Sequence, residues 1–115
     1  MSELTELRRA MREFSEERDW GSFHDPKSVL LALVGEVGEL AELLQWLPAD
    51  RAAELARDET LHRRLGEEMS DVLLYLLLLA DVLDVDLAAA APAKLADARV
   101  RYPAGVTPDR ENRAR

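Results

Sequence analysis

The sequence lacks cysteine altogether, has only five glycines and five prolines, and contains no apolar run long enough to cross a membrane. Without cysteine, neither a disulfide framework nor a zinc–thiolate site can form. The absence also fits a reducing compartment, and we expect a cytoplasmic protein. The longest apolar run, residues 72–80, lies between Asp71 and Asp81 and is far shorter than the roughly 20 residues of a membrane span. We therefore expect no membrane partner.

Basic residues are also in deficit. The chain has 15 Lys and Arg against 23 Asp and Glu, which gives a formal net charge of −8. Proteins that bind nucleic-acid backbones usually present a basic face, so we do not expect a DNA or RNA polymer as a partner. Phosphates can be bound here only through a few local Lys and Arg side chains or through bound cations.

What the sequence does contain is typical of one helical domain. A hydrophobic fraction of 48% excludes general disorder, and the dominant residues Leu, Ala, Glu and Arg are good helix formers. Apolar spacing and helix breakers predict long helices over residues 2–18, 26–47, 59–83 and 87–101, with a short helix or turn within 49–57. Pro92 is expected to kink the last helix or to mark its true start. We predict one all-α domain over residues 1–103 and a flexible tail over residues 104–115.

The second and third long helices are too apolar for a two-helix hairpin in water. The segment 72–79 is apolar on every side, and such a helix is buried on every side. In so small a chain this pattern predicts a homo-oligomer, whose subunit interface covers part of the apolar surface.

Two pairs of acidic residues interrupt these apolar helices. Glu36 and Glu39 stand three residues apart in one helix, and Glu68 and Asp71 do so in the next, so each pair shares a helix face. Four carboxylates among apolar residues are costly to bury without compensation, and neither apolar stretch contains an Arg partner. A solvent-facing stripe is the simpler interpretation, but the match between the two pairs favours a site for a hard cation such as Mg²⁺.

Two glycines lie beside this acidic set. Gly35 and Gly38 are in mid-helix, where each costs roughly 1 kcal/mol relative to Ala. Space for a ligand and a close helix crossing explain them equally well.

A di-iron carboxylate bundle is the main competing type of metal site. It takes a Glu-x-x-His motif from each of two helices. The chain has two histidines, and only His62 follows a Glu (Glu59) at that spacing, whereas His24 does not, so one of the two required motifs is missing. We therefore expect no iron redox chemistry.

Longer segments carry a resemblance to a known family. FSEERDWGSFHDPKSVLLALVGEVGELAELLQW at 14–46, EEMSDVLLYL at 67–76 and KLADARVRYP at 94–103 closely resemble the all-α nucleotide pyrophosphohydrolases of the MazG-like superfamily. The nearest branch is the small dCTP pyrophosphatases. The resemblance covers about residues 7–104 and combines the paired E-x-x-E and E-x-x-D motifs with ERDW and RYP.

The resemblance implies a four-helix bundle that assembles as a dimer or, as we favour, a dimer-of-dimers tetramer. It implies hydrolysis of a nucleoside triphosphate, dCTP or a modified dCTP, to the monophosphate and pyrophosphate, in order to clean the nucleotide pool. Its cofactor would be Mg²⁺, with Mn²⁺ as the alternative. The family's metal ligands fall here on Glu36, Glu39, Glu68 and Asp71. Its base-pocket positions fall on Trp20, Gly21, Ser22, Phe23, His24, Trp46 and Tyr75.

The sequence departs from this branch at two positions. Met11 stands where these enzymes usually have His near the base, and Ala98 where they usually have Asn near the phosphates. Both changes leave the metal ligands intact and bear on the choice of substrate.

The expected reaction assigns roles to further side chains. A carboxylate not saturated by metal takes the proton of the attacking water. Glu39 is the first candidate, together with its neighbour Glu36, and Glu42 and Glu67 follow. The candidates for phosphate contacts in the last helix are Lys94, Arg99 and Arg101, although a solvated helix face explains each of them as well.

The two aromatic residues Trp46 and Tyr75 suggest a pocket shared between subunits. Each stands seven residues, two helical turns, after an acid of the metal set. If the two helices are antiparallel, the aromatic side chains lie at opposite ends of the acid cluster. One chain then does not easily supply both walls of a base slot, and we expect one wall from each subunit.

Three alternatives remain at this point. The same chemistry on dUTP or on a broad range of dNTPs is one. A helical interaction module that keeps the acids as a solvated stripe or structural metal site is another. The third is a non-catalytic nucleotide-binding protein, which the four intact acids disfavour.

Overall fold

The chain is all-α over the part that the structure describes. The computed structural model describes residues 2–105, in which no strand is present. Four long helices are joined by a 3₁₀ turn at Gly21–Phe23 and by one short helix. The helices are α1 at Glu3–Glu17, α2 at Pro26–Leu44, α3 at Ala52–Leu55, α4 at Glu59–Val82 and α5 at Leu87–Arg101. The predicted helical class and the existence of each helix are confirmed.

Each long helix begins at a side chain that caps its first turn. The Ser2 side chain accepts a hydrogen bond from the amide of the third residue after it, and Asp25, Asp58 and Asp86 do the same. Such caps stabilise a helix by about 1 kcal/mol each. Pro26 follows Asp25 in the first turn of α2, where its missing N–H costs nothing.

Two boundaries differ from the prediction. Helix α2 ends at Leu44 and not at Leu47. Leu47 precedes Pro48, which disfavours helical backbone at the residue before it, and the Leu47 amide closes a tighter turn on the Leu44 carbonyl at 3.0 Å. Helix α5 begins at Leu87 and runs through Pro92, so Pro92 does not mark its start.

Helix α4 is the centre of the packing. It contacts α2 on one side and α1 on another, and α5 contacts α1. Among the described residues the buried hydrophobic side chains are Val29 of α2 and Leu77, Leu78 and Ala80 of α4. This core is small. Three of its four side chains belong to α4, which contains the most apolar stretch of the sequence.

An arginine clamp fixes α1 to the end of α4. Arg8 Nε donates to Asp81 Oδ1 at 2.9 Å, and Arg12 Nε donates to the same oxygen at 3.0 Å. Arg8 also donates to the Val85 carbonyl at 3.0 Å. The two guanidinium groups hold the pKa of Asp81 below its usual range, mainly through the Arg12 hydrogen bond. The clamp thereby sets the position of α1 beside α4.

No helix in the described part of the chain combines the length and apolar character that crossing a membrane requires. Of the predicted tail at 104–115, residues 106–115 lie outside the described residues.

Candidate active site

Three of the four predicted metal ligands converge between α2 and α4. One carboxylate oxygen each from Glu36, Glu39 and Glu68 lies within 4.8 Å of the others. Glu36 and Glu39 stand on one face of α2, and α4 presents Glu68 to that face because the two helices pack against each other. The i, i+3 spacing in the sequence thus becomes a cluster of oxygen atoms from two helices.

The cluster is electrostatically unfavourable without a cation. Glu36 and Glu68 are half-buried, and one Oε2 of each is buried with no hydrogen-bond partner. Burial, followed by the hydrogen bond and charge of Glu39, raises the pKa of Glu36 to about 7. The same causes raise the pKa of Glu68. A bound cation would coordinate the unpartnered oxygens and would offset the repulsion between the carboxylates.

The fourth predicted ligand, Asp71, is not among the residues whose oxygens converge within 4.8 Å. Its charge contributes to the raised pKa values of Glu36 and Glu68, so it is within electrostatic reach of both. It stands three residues, about one helical turn, after Glu68 on α4. Asp71 is therefore near the acid cluster and also on the surface of α4 that faces α1.

The donor set fits a hard divalent cation. All the candidate ligand atoms are carboxylate oxygens, which Mg²⁺ and Mn²⁺ prefer over nitrogen or sulfur. The unpartnered Glu36 and Glu68 oxygens are available for coordination. A Cβ added at Gly35 or Gly38 would meet no atom of another helix within 4 Å in the described part of the chain. A close helix crossing within the chain therefore does not explain these glycines.

An apolar cavity of about 410 Å³ begins beside Asp71. Its size is within the range of about 300–1,000 Å³ typical of small-molecule sites. It lies between α1 and α4. Its lining consists of Leu7, Ala10, Met11, Phe14, Trp20, Asp71, Leu74 and Tyr75.

Aromatic contacts shape the end of this cavity at which α1 stops. The Phe14 and Trp20 rings meet edge to face, with centroids 5.4 Å apart and planes at 74°. The Arg18 guanidinium lies over the Phe14 ring, 3.8 Å from its centroid. Phe14 thus contacts Trp20 and Arg18 and forms an aromatic wall of the cavity. An acid cluster, an adjoining apolar cavity and an aromatic wall suit a ligand with an anionic end and a flat end.

Known proteins resemble this chain in sequence and in fold. A family model described as the MazG nucleotide pyrophosphohydrolase domain matches residues 24–105. The chain belongs to this family. It is 49% identical over 100 residues to dCTP pyrophosphatase 1 of Bos taurus and 48% identical over 101 residues to that of Homo sapiens. These matches cover 87% and 88% of this chain, and the chain spans only 59% of the length of each of the two relatives.

A solved structure shares the MazG fold. A pyrophosphatase from Archaeoglobus fulgidus superimposes with a TM-score of 0.79 at 33% sequence identity, covering 90% of this chain and 94% of that one. The resemblance seen in the sequence motifs is thus confirmed at the level of family and fold.

The MazG domain distributes the predicted base-pocket residues over several surfaces. Trp20 and Tyr75 line the apolar cavity. Gly21 and His24 line a separate depression of about 220 Å³ beside Arg12 and Asp81. Ser22, Phe23 and Trp46 are exposed and line neither of these two cavities, and Trp46 is 85% exposed. The single chain therefore brings two of the predicted residues together and leaves Trp46 outside the cavity lining.

The three predicted phosphate-binding residues lie on the exposed surface of α5. Lys94 Nζ is 3.8 Å from Asp97 Oδ2, and Arg101 Nη1 is 3.7 Å from the same oxygen. Arg99 is exposed in the last turn of the helix. Both ion pairs run within α5, so contacts to a phosphate would have to compete with Asp97.

Sequence reasoning did not assign α1 to the site. Leu7, Ala10, Met11 and Phe14 line the cavity, whereas the apolar spacing of residues 2–18 predicted only a helix. Met11 was placed near the base by family resemblance alone. The signal that distinguishes a cavity wall from a packed core is the gap between α1 and α4, and it does not exist in the linear sequence.

Proposed function

We propose that this chain is a nucleoside triphosphate pyrophosphohydrolase that converts dCTP, or a modified dCTP, to the monophosphate and pyrophosphate, and so cleans the nucleotide pool. The observation that carries the proposal is the cluster of Glu36, Glu39 and Glu68 oxygens within 4.8 Å. Membership of the MazG family and the likeness to proteins named dCTP pyrophosphatase 1 support the reaction and the base.

The acids have two roles in this proposal. Glu36, Glu39, Glu68 and Asp71 hold Mg²⁺, or Mn²⁺ in its place. Such ions, when bound, neutralise phosphate charge and lower the pKa of a bound water. Glu39 is the exposed member of the oxygen cluster, so its carboxylate is the one best placed to reach solvent and to take a proton from the attacking water.

The bonds balance as a simple displacement at the α-phosphate. Water oxygen bonds to the α-phosphorus, the bond between that phosphorus and the bridging oxygen breaks, and pyrophosphate leaves with the electron pair. Glu39 receives the water proton, while Glu36 helps to hold the phosphate end. Lys94, Arg99 and Arg101 are the proposed contacts to the departing pyrophosphate, Lys94 and Arg101 after giving up or sharing Asp97.

The nucleotide lies along α4 in this proposal. Asp71 both lines the apolar cavity and acts electrostatically on Glu36 and Glu68. Tyr75 stands one turn further along α4, about 6 Å along the axis. Phosphates at the acids would therefore place the base in the cavity, against the Phe14–Trp20 wall.

We propose further that the functional unit is a homo-oligomer, a tetramer in preference to a dimer. The described chain leaves many large hydrophobic side chains exposed, among them Leu31, Val34 and Met69, and Val100 is 80% exposed. Its radius of gyration is 17.2 Å, against about 13 Å for a compact domain of this length. Both features are expected of a subunit whose core is completed by other copies.

Sedimentation analysis of wild type and a Val34→Glu variant tests the assembly. We expect wild type to sediment as a tetramer, or as a dimer, and Val34→Glu to shift toward smaller species. Ala53→Glu, an exposed position on the short helix α3, is the matched control and should leave the mass unchanged. A monomeric wild type contradicts the proposed assembly.

Trp46 is the proposed contribution of a second subunit to the base pocket. Its 85% exposure is unusual for tryptophan and leaves it available to a partner. Mixing Trp46→Ala with Glu36→Gln protein tests this, because one site of each mixed pair would carry neither change. Restored activity supports a shared pocket, and activity that stays absent after subunit exchange contradicts it.

A nucleotide panel tests the reaction itself. Purified protein is incubated with Mg²⁺ and each dNTP and NTP, and the products are separated as monophosphate plus pyrophosphate or diphosphate plus phosphate. We expect metal-dependent release of pyrophosphate that is abolished by EDTA and by Glu36→Ala. No turnover of any nucleotide contradicts the proposed function and favours a nucleotide-binding or interaction module.

A further inference from the structure

The apolar cavity beside Asp71 is nearly without groups that can read a base by hydrogen bonding. Five of the residues that line it, on α1 and α4, have wholly apolar side chains, and Met11 is one of these five. The polar tips that the lining can offer, apart from the Asp71 carboxylate, are the Tyr75 hydroxyl and the Trp20 indole N–H.

Asp71 lines the cavity, but in the proposed function its carboxylate holds the metal ions. It is therefore not counted among the groups that read the base. A ligand with its phosphates at the acids therefore presents the far edge of its base to the apolar part of the cavity, where Phe14 and Met11 stand on α1.

The chemistry of such a wall limits discrimination. A site built to hydrogen-bond a substrate group rejects the analogue without it by about 10⁴–10⁵, because buried polar partners are left unpaired. An apolar pocket distinguishes small changes by only about 10- to 200-fold. Stacking on aromatic rings adds affinity but tolerates any base of similar shape.

We propose that this cavity holds the base of the nucleotide by shape and stacking, and that Met11 is the residue that keeps it from distinguishing cytosine from uracil. The inference rests on the proposed function. Cytosine and uracil have the same ring and size and differ in the C4 substituent and the N3 proton. The side chains of Met11 and Leu7 cannot form a hydrogen bond with either the C4 substituent or the N3 position.

The expected results are ratios of kcat/KM. With Mg²⁺ present, we expect dCTP and dUTP to be cleaved with kcat/KM values within about tenfold of each other, as for other apolar pockets. Met11→Gln introduces an amide with a donor and an acceptor on a side chain of similar length. We expect it to change the dCTP to dUTP ratio by at least about fivefold, in the range of one hydrogen bond. Met11→Leu, which stays apolar, should leave the ratio within about twofold.

Two results would overturn the inference. One is a wild-type preference for dCTP over dUTP greater than about tenfold, which would mean that the pocket does distinguish the two bases. The other is a Met11→Gln ratio indistinguishable from that of Met11→Leu.

A binding measurement separates this inference from the proposed reaction. Calorimetric titration with the α,β-imido analogues of dCTP and dUTP reports base discrimination without cleavage. Equal affinities in wild type that diverge in Met11→Gln support the inference even if no nucleotide is hydrolysed. Hydrolysis accompanied by strongly unequal analogue affinities supports the reaction and overturns the inference.

Discussion

Metal binding should release protons in a manner set by Glu36. Its pKa is raised to about 7 in the metal-free protein, first by burial and then by Glu39. A carboxylate must lose its proton to coordinate a cation. Glu36 alone should therefore release about 0.9 proton per site at pH 6, about 0.5 at pH 7 and about 0.1 at pH 8. The pKa of Glu68 is raised as well, so it adds to the release at the acidic end.

Calorimetric titration of Mn²⁺ or Mg²⁺ into the protein, in buffers of different ionisation enthalpy, measures this proton count directly. Apparent affinity should fall as the pH drops below 7, approaching about tenfold per unit for one linked proton. Glu36→Gln should lose most of both the binding and the linked proton. Glu54→Gln, on the exposed short helix α3, should match wild type. A proton release that is absent, or constant from pH 6 to pH 8, would refute the link between the crowded acids and the metal.

Three further outcomes are expected. Leu77→Ala removes a side chain only 1% exposed and should cost about 3 kcal/mol in urea denaturation; a cost below about 1 kcal/mol would mean that α4 is not the core. Asp81→Asn removes the charge that pairs with Arg8 and Arg12 and should cost about 2 kcal/mol, with Asp50→Asn at an exposed turn position as the neutral control. The metal-free protein should unfold at a higher temperature at pH 6 than at pH 8, because the native state binds more protons than the unfolded state between the unfolded pKa of Glu36 and about 7. Saturating Mg²⁺ should remove that dependence, and a melting temperature that rises with pH in the metal-free protein would contradict the sign.

The acid cluster was predictable from the sequence because its geometry is local. Residues at i and i+3 share a helix face whatever the helix packs against, and two matching pairs, Glu36 with Glu39 and Glu68 with Asp71, predict two faces that meet. Helix starts were predictable for the same reason, since Asp25 followed by Pro26 determines a first turn without tertiary contacts. The end of α2 was less predictable, because Pro48 indicates that the helix stops before it but not how many residues earlier the final turn begins.

The cavity was not predictable because it depends on the distance between two helices. The spacing of Leu7, Met11 and Phe14 indicates an apolar face but not whether that face is packed or open. The Arg8 and Arg12 clamp on Asp81, between residues about seventy positions apart, sets the position of α1, and no local pattern predicts it. The role of Trp46 was not predictable either, because in the proposed pocket it contacts a site on another copy of the chain.

The most direct test of the account is the identity of the products from dCTP. Phosphorus NMR of a single reaction with Mg²⁺ distinguishes cleavage between the α- and β-phosphates from cleavage between β and γ. We expect dCMP and pyrophosphate from wild type and unreacted dCTP from Glu36→Gln. Formation of dCDP and phosphate, or equal turnover by wild type and Glu36→Gln, would contradict the central claim that this acid cluster drives attack at the α-phosphate.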